Sequence, residues 1–332
     1  MPPAAAEWEF IMSVFPLGDK ELKIGILGMT EGNGHPYSWS AMFNGFDMRY
    51  MAECPFPVIP AYLKKQPAHT IGIPGAHITH ICCTGYAQRE MAEHMAKAAN
   101  IPHVVDDPLE MLGQVDAVIC ATDVGDEHIE RCRPFLDAGL PMFIDKPLVN
   151  KEEDLKTFVR WRKEGKHFLS SSCMRYSKEL EPYYVAPYDL GKLMYICCPM
   201  SKKWETYGIH AAEAVYPLLG PGFVSVQNTG TYEQAQVHLI HESGCRVDIP
   251  QGIGMAGAGM QLVGTDDYVY IDCKDSYYSF KKQLDLFVHW LRTGEEPHPF
   301  AETIELMKII IAGLRSREEG GRVVALSEIS EQ

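Results

Sequence analysis

The sequence predicts an α/β fold in two parts: a doubly wound parallel sheet, then an α+β domain with a mostly antiparallel sheet. Three observations predict it. Short apolar runs alternate with helical patterns through about residue 174. Those runs are almost continuously hydrophobic, as strands covered by helices on both faces must be. Beyond about residue 175 the runs lengthen and several alternate polar with apolar residues, the pattern of a sheet with one wet face.

The elements follow in order. "LKIGILG" at 22–28 is a buried strand ending in glycine, and "PYSWSAMFNG" at 36–45 is a helix with Pro36 at its first position. "HITHICCT" at 77–84 is the second strand; the helix at 88–100 carries apolar residues at helical spacing and stops at Asn100 before Pro102. "HVVDD" at 103–107 and "DAVICAT" at 116–122 are strands, and the helix at 126–139 stops at Gly139. "PMFID" at 141–145 is a strand. The helix at 151–165 has its acids first and its bases last, matching the helix dipole. "HFLSSSCM" at 167–174 closes the series, and this rhythm implies parallel pairing. Residues 49–76, rich in Pro and Gly, break it and read as an insertion forming a lid or a subunit contact.

The second part is predicted to hold strands in "GKLMYICCPM", in residues 223–251, in "MQLVGTDDYVYIDC" and in "YYSF", with turns at Glu242-Ser243-Gly244 and Gly264-Thr265-Asp266-Asp267. Helices at 281–294 and 301–321 complete it. The expected organisation is therefore one domain over 1–175, insertion included, and a second over 176–332.

Composition narrows the function. Net charge is −14 with no run of Lys and Arg, which argues against nucleic acid and leaves a small neutral ligand open. The ten cysteines include the adjacent pairs Cys82-Cys83 and Cys197-Cys198 on strand-like runs. Neighbours on a strand point to opposite faces and suit a mutual disulfide poorly. The start "MPPAAAEWEF" lacks the basic and apolar parts of a signal peptide, and no apolar run is long enough to cross a bilayer. Free thiols in a reducing cytoplasm are expected. No CxxC pair has a partner pair, so no metal site is expected.

Chemistry concentrates at two places. The first strand runs into "GMTEGNGHP", in which Gly28, Thr30, Gly32 and Gly34 form a glycine-rich turn before a helix. Glycines let the backbone approach a pyrophosphate, and the helix start offers free N–H groups to its charge. The spacing is G-x-x-x-G-x-G rather than the usual G-x-G-x-x-G, and an ordinary strand-to-helix loop is the alternative. The second strand ends in Thr84 with no acid for a ribose diol, and Arg89 follows, so NAD and NADP both stay open. The second place is Asp145-Lys146-Pro147, at the carboxyl end of the fifth strand, the edge where open α/β sheets bind ligands. A lysine there can stabilise an alkoxide-like charge, with partial burial expected to lower its pKa. A surface lysine paired with Asp145 is the alternative.

Residues 115–148, "VDAVICATDVGDEHIERCRPFLDAGLPMFIDKPL", resemble the signature of the Gfo/Idh/MocA oxidoreductases, and the likeness continues in "SCMRY", "TYGIHAAE", "LVGTDDYVYI" and "SREEGGRVVAL". The resemblance implies a Rossmann domain, NAD or NADP as cofactor, and a second domain whose open sheet mediates assembly into dimers or tetramers. It also implies oxidation of a ring hydroxyl of a sugar, glycoside or cyclitol, or reduction of the ketone. It assigns Lys146 as the catalytic lysine of an E/D-K-P motif. It places His210 as acid/base in a motif resembling D-x-G-x-H, with Thr206 in the aspartate slot, a departure that removes a charge. Glu213, one turn on, is a candidate to orient the imidazole. Arg175 and Tyr176 match a pair near the substrate, with interdomain packing as the other reading. Thr122 falls close to the nicotinamide, Asp123 stands where proline is common, and His128 reads as a cap. Trp204, with Lys202 and Lys203, is a candidate pocket wall. A non-redox enzyme recycling tightly bound NAD and a non-catalytic sensor are the alternatives.

Overall fold

A computed structural model describes residues 15–86, 88–184, 189–257 and 259–332; the N-terminal stretch read above for a signal peptide lies outside them. The first half alternates strand and helix. Its strands are β1 (Leu22–Gly28), β2 (Ala76–Cys83), β3 (His103–Val104), β4 (Ala117–Cys120), β5 (Met142–Ile144) and β6 (Phe168–Leu169). Its helices are α1 (His35–Asn44), α2 (Met48–Met51), α3 (Val58–Leu63), α4 (Arg89–Ala98), α5 (His128–Asp137) and α6 (Glu152–Lys163). The six strands pair in the order β3-β2-β1-β4-β5-β6, all parallel. The order reverses between β1 and β4, and a doubly wound sheet opens its ligand crevice at the carboxyl ends of such a pair. Strand β4 is buried along its whole length, as two helical layers require.

The second half comprises α7 (Glu181–Tyr184), β7 (Leu193–Cys197), β8 (Met200–Ser201), α8 (Trp204–Leu219), β9 (Phe223–Asn228), β10 (Gln234–His241), β11 (Arg246–Gly252), β12 (Gly259–Gly264), β13 (Tyr268–Asp272), α9 (Ser276–Thr293), α10 (Phe300–Glu318) and β14 (Val324–Ala325). Eight strands form one sheet in the order β13-β12-β7-β11-β10-β9-β14, with β8 also on β11. It is mostly antiparallel; β11 pairs in parallel with β7 and β8. Along β10, buried residues alternate with less buried ones, so one face meets the core and the other faces outward. Met194, Val224, Ile240, Tyr268 and Tyr270 are exposed on strands of this sheet. All ten cysteines are free.

One local expectation changes. "YYSF" is not a strand but the first turn of α9, whose N-cap Asp275 accepts a hydrogen bond from the Tyr278 N–H at 3.0 Å. Aromatic residues favour strands only weakly, and a satisfied helix start outweighs that preference. The insertion is partly helical and is packed against its own chain. Phe56 meets Tyr37 of α1, and the Tyr62 hydroxyl donates to Ser38 at 2.5 Å. Tyr277 of α9 stacks obliquely on Tyr62 and donates to the Thr70 carbonyl at 3.3 Å. The insertion thus bridges α1 of the first half and α9 of the second.

Candidate active site

The site assembles where the carboxyl ends of β1, β4 and β5 meet the start of α8. β5 ends at Ile144, so Asp145 and Lys146 emerge at the crevice and are buried there; Lys146 is 2% exposed. Asp145 is held on all sides. Its Oδ2 lies 2.5 Å from His35 Nδ1 and accepts from Asn33 Nδ2 at 3.1 Å, while Oδ1 accepts from the Lys146 backbone N–H at 2.7 Å. The glycine turn is therefore tied to the end of β5 by its own side chains. Burial alone would raise the Asp145 pKa, but the charges and hydrogen bonds of His35 and Lys146 hold it well below the usual range.

Lys146 turns away from this cluster. Its Nζ lies 3.6 Å from Asp123 Oδ2 and 5.0 Å from the centre of the Tyr207 ring, and it makes no hydrogen bond to the described residues. Burial favours the neutral amine, but Asp145 and Asp123, then Tyr207 and Cys173, outweigh it and raise the pKa. The lowered value expected from burial is thus reversed by two carboxylates that no single-segment reading weighs. These charges favour the ammonium form of Lys146.

His210 lies on α8, one turn after Tyr207, and is 7% exposed. Its Nδ1 lies 2.6 Å from Ser172 Oγ, and its ring meets the Tyr207 ring edge-on at 4.6 Å. Burial, then the nearby Lys146 and His35, push its pKa well below the ordinary histidine value. His210 is therefore neutral at neutral pH, and it shares the Tyr207 ring with the Lys146 ammonium. Glu213 does not orient it. That carboxylate binds Arg175 Nε and accepts from the Ser172 N–H at 3.2 Å. Ser172, from "SCMRY", is the imidazole's partner instead, and it also links α8 to the segment after β6. Thr206 is half-buried in the first turn of α8.

The remaining predicted residues separate into two groups. Thr30 donates to Asp123 Oδ1, joining the glycine turn to the end of β4 beside Thr122. Lys202 lies across the turn from the second sheet. Its Nζ donates to the Gly32 carbonyl at 3.3 Å and bonds the Tyr207 hydroxyl at 2.7 Å. Gly28 must be glycine, because a Cβ there would fall 2.7 Å from Pro36 Cγ. Gly32 has a φ of +77°, which suits glycine, and a Cβ there would meet only Lys202 Nζ, at 3.9 Å. Gly34 is covered instead, since a Cβ would meet Ile59 and Phe56 of the insertion at 2.6 and 2.8 Å.

The second group lies elsewhere. Arg89 is exposed and paired with Glu93 and Asp106 at 2.8 and 2.7 Å. The guanidinium at the end of β2 belongs to Arg131 of α5, which donates to Thr84 Oγ1 at 2.9 Å. Trp204 is core, not pocket wall. Its ring packs where Gly208 and Gly313 leave room, and its indole N–H donates to the Ile310 carbonyl at 3.0 Å. Arg175 is locked between Glu213 and Glu302, and Tyr176 is half-buried near His298, contacts that fit the packing reading of this pair. His128 bridges the Leu148 and Thr122 carbonyls at 2.9 and 2.7 Å, so it ties β4 to the segment after β5.

Sequence reasoning missed Tyr207, Ser172 and Arg131. Tyr207 had a usable signal, because it stands three residues before His210 on one helix face. Ser172 and Arg131 act through partners 38 and 47 residues away, which no local pattern reveals.

Residues 59–171 match the family model described as "Oxidoreductase family, NAD-binding Rossmann fold", GFO_IDH_MocA; the matched stretch begins after the glycine turn. No curated protein matches the chain in sequence. Among solved structures, myo-inositol 2-dehydrogenase from Lactobacillus plantarum is similar with a TM-score of 0.73 at 15% identity, over 92% of this chain and 99% of that one. Scyllo-inositol dehydrogenase from Lactobacillus casei, solved with NAD(H) and scyllo-inositol, gives 0.71 at 13%, over 93% and 100%. A myo-inositol dehydrogenase from Corynebacterium glutamicum gives 0.68 at 16%, over 92% and 98%. These likenesses establish a shared fold along the chain. Over residues 59–171, the nucleotide-binding half, the chain is similar to the Gfo/Idh/MocA oxidoreductase family.

Proposed function

We propose that this protein is an NAD(P)-dependent dehydrogenase that oxidises a ring hydroxyl of a cyclitol, sugar or glycoside to a ketone, or runs the reverse. One observation carries the reading. A buried ammonium without a hydrogen-bond partner, Lys146, and a neutral imidazole, His210, face the same tyrosine ring at the carboxyl edge of a doubly wound sheet. An orphaned buried donor costs stability unless something binds it. A ligand oxygen that gains negative charge meets that need. The two inositol dehydrogenases named from Lactobacillus, one holding NAD(H) and scyllo-inositol, support the substrate class.

The residues present fit a dinucleotide. Gly32 carries no side chain to crowd the turn, Thr84 follows β2 beside Arg131, and Lys146 offers an Nζ without a hydrogen-bond partner. The turn at Gly28, Thr30 and Gly32, with Thr84 and Thr122, would hold it. Bound there, the cofactor supplies the hydride acceptor. His210, with Nδ1 engaged by Ser172, takes the hydroxyl proton at Nε2. Lys146 donates a hydrogen bond to the same oxygen as its charge grows, a preorganised stabilisation. Burial of both groups keeps water from competing.

The test is titration with NAD(H) and NADP(H), then a panel of inositols, sugars and glycosides followed at the absorbance of the reduced nicotinamide. Reduction with at least one polyol is expected. Binding of neither dinucleotide would overturn the reading, and product without net reduced cofactor would replace it with the recycled-NAD alternative.

A further inference from the structure

The lysine at the end of β5 has a carboxylate neighbour that the family resemblance does not supply. Asp123 stands at the end of β4, where proline is common in the related enzymes, and is 6% exposed. It is fixed from one side by the Thr30 hydroxyl, which donates to Oδ1. Its other oxygen lies 3.6 Å from Lys146 Nζ. Thr30 belongs to the glycine turn, so a chain of contacts runs from that turn through Asp123 to the lysine. The same sequence has a threonine, Thr206, where the resembled motif carries aspartate.

From this geometry we infer that Asp123 is a positioning residue for the reaction, resting on the reading above: a carboxylate at the end of β4 that aims and charges Lys146, in a chain whose histidine motif has lost its own acid. Asp145 is unsuited to the task. Its Oδ2 is occupied by His35 and Asn33 and its Oδ1 by the Lys146 backbone, so it fixes the main chain and leaves the ammonium unbonded. Asp123 approaches Nζ itself.

The groups facing the ammonium come from every element around it. They are Asp145 beside it, Asp123 from β4, Cys173 from the segment after β6, and Tyr207 from α8. His210 of α8 is also within electrostatic reach. Burial and Lys146 act in opposite senses on Cys173, and burial prevails, raising the thiol to about 12. Cys173 therefore stays neutral at working pH, and the two aspartates are the anions that keep Lys146 charged.

The experiment compares wild type with Asp123→Asn, Asp123→Glu and Thr30→Val. Lysine labelled at Cε, with Lys146 assigned through Lys146→Arg, is titrated by NMR in the unliganded protein. This readout needs no turnover. Asp123→Asn is expected to lower the Lys146 midpoint by about one unit or more, as loss of a nearby opposite charge does. Asp123→Glu should restore most of it, and Thr30→Val should give an intermediate shift. With a turned-over polyol, Asp123→Asn should cut kcat about tenfold or more, with KM and dinucleotide affinity within a few-fold. It should also move the alkaline limb of the rate profile downward. An unchanged Lys146 midpoint in folded Asp123→Asn would overturn the inference whether or not the protein turns over a polyol. Failure to bind a dinucleotide, with the midpoint shifted as expected, would overturn the dehydrogenase reading alone.

Discussion

Lys146 and His210 are assigned opposite protonation states by the groups around them. Two carboxylates keep the lysine charged, while burial beside that charge keeps the histidine neutral. One prediction follows for the pH dependence of kcat/KM. The acid limb reports protonation of the base, and an unperturbed histidine would place it near pH 6.5. Here it should lie clearly below 6.5, because the folded protein resists charging His210. A limb at or above 6.5 would show that the imidazole is not the buried, neutral one described. Sequence carried the reader to both side chains, because each lies in a short contiguous motif. It did not carry the reader to their charge states. Those depend on Asp123, Ser172 and Tyr207, whose effect exists only once β4, the segment after β6 and α8 are brought together. The lysine's pKa was expected to fall for the same reason: burial is legible in an apolar run, but the second carboxylate is not.

At the level of elements, the alternation of strand and helix in the first half was readable almost segment by segment. Buried parallel strands are bounded by glycine and proline, and that contrast survives in sequence. The losses came where signals compete. "YYSF" carries strand-favouring aromatics, yet Asp275 caps the helix that contains it. The insertion gave no pattern of its own, because its Phe56, Ile59 and Tyr62 pack on the glycine turn, α1 and α9 and not on one regular face. The cap is open to measurement. Asp275→Ala should destabilise the protein by about 1 kcal/mol in urea unfolding, the usual cost of losing a helix N-cap. Its surface pairing with Lys178 adds little to that figure. No change in midpoint would mean that α9 is held by packing alone.

Over the whole molecule, the histidines that burial pushes down furthest among the described residues are His298 and His210. His298 is pushed down to about 3 by burial and then by Arg175, and His210 is also held well below its ordinary value. In the unfolded chain both take up protons near pH 6.5. The folded state does not, so their contribution is fully present above 6.5 and is lost as pH falls toward the folded value. Each group adds a slope of about 1.4 kcal/mol per pH unit in that window. His298→Gln should therefore show a shallower loss of stability than wild type between pH 6 and pH 4, by roughly that amount, in urea unfolding at stepped pH. Equal slopes would contradict the burial of a neutral His298. The pairing of a parallel and a mostly antiparallel sheet was legible in the change of hydrophobic pattern near residue 175. The contacts that close one onto the other, such as Lys202 on the Gly32 carbonyl, were not, because they join residues 170 positions apart.

The central claim is that Lys146 and His210 act on one oxygen. A double-mutant cycle of Lys146→Met, His210→Asn and the pair, with kcat measured on the best polyol of the panel, tests it most directly. Each single change should cost about a hundredfold or more, and the double should cost little beyond the larger single, as groups working as a unit do. Losses that simply multiply, or a single variant with wild-type turnover, would contradict it.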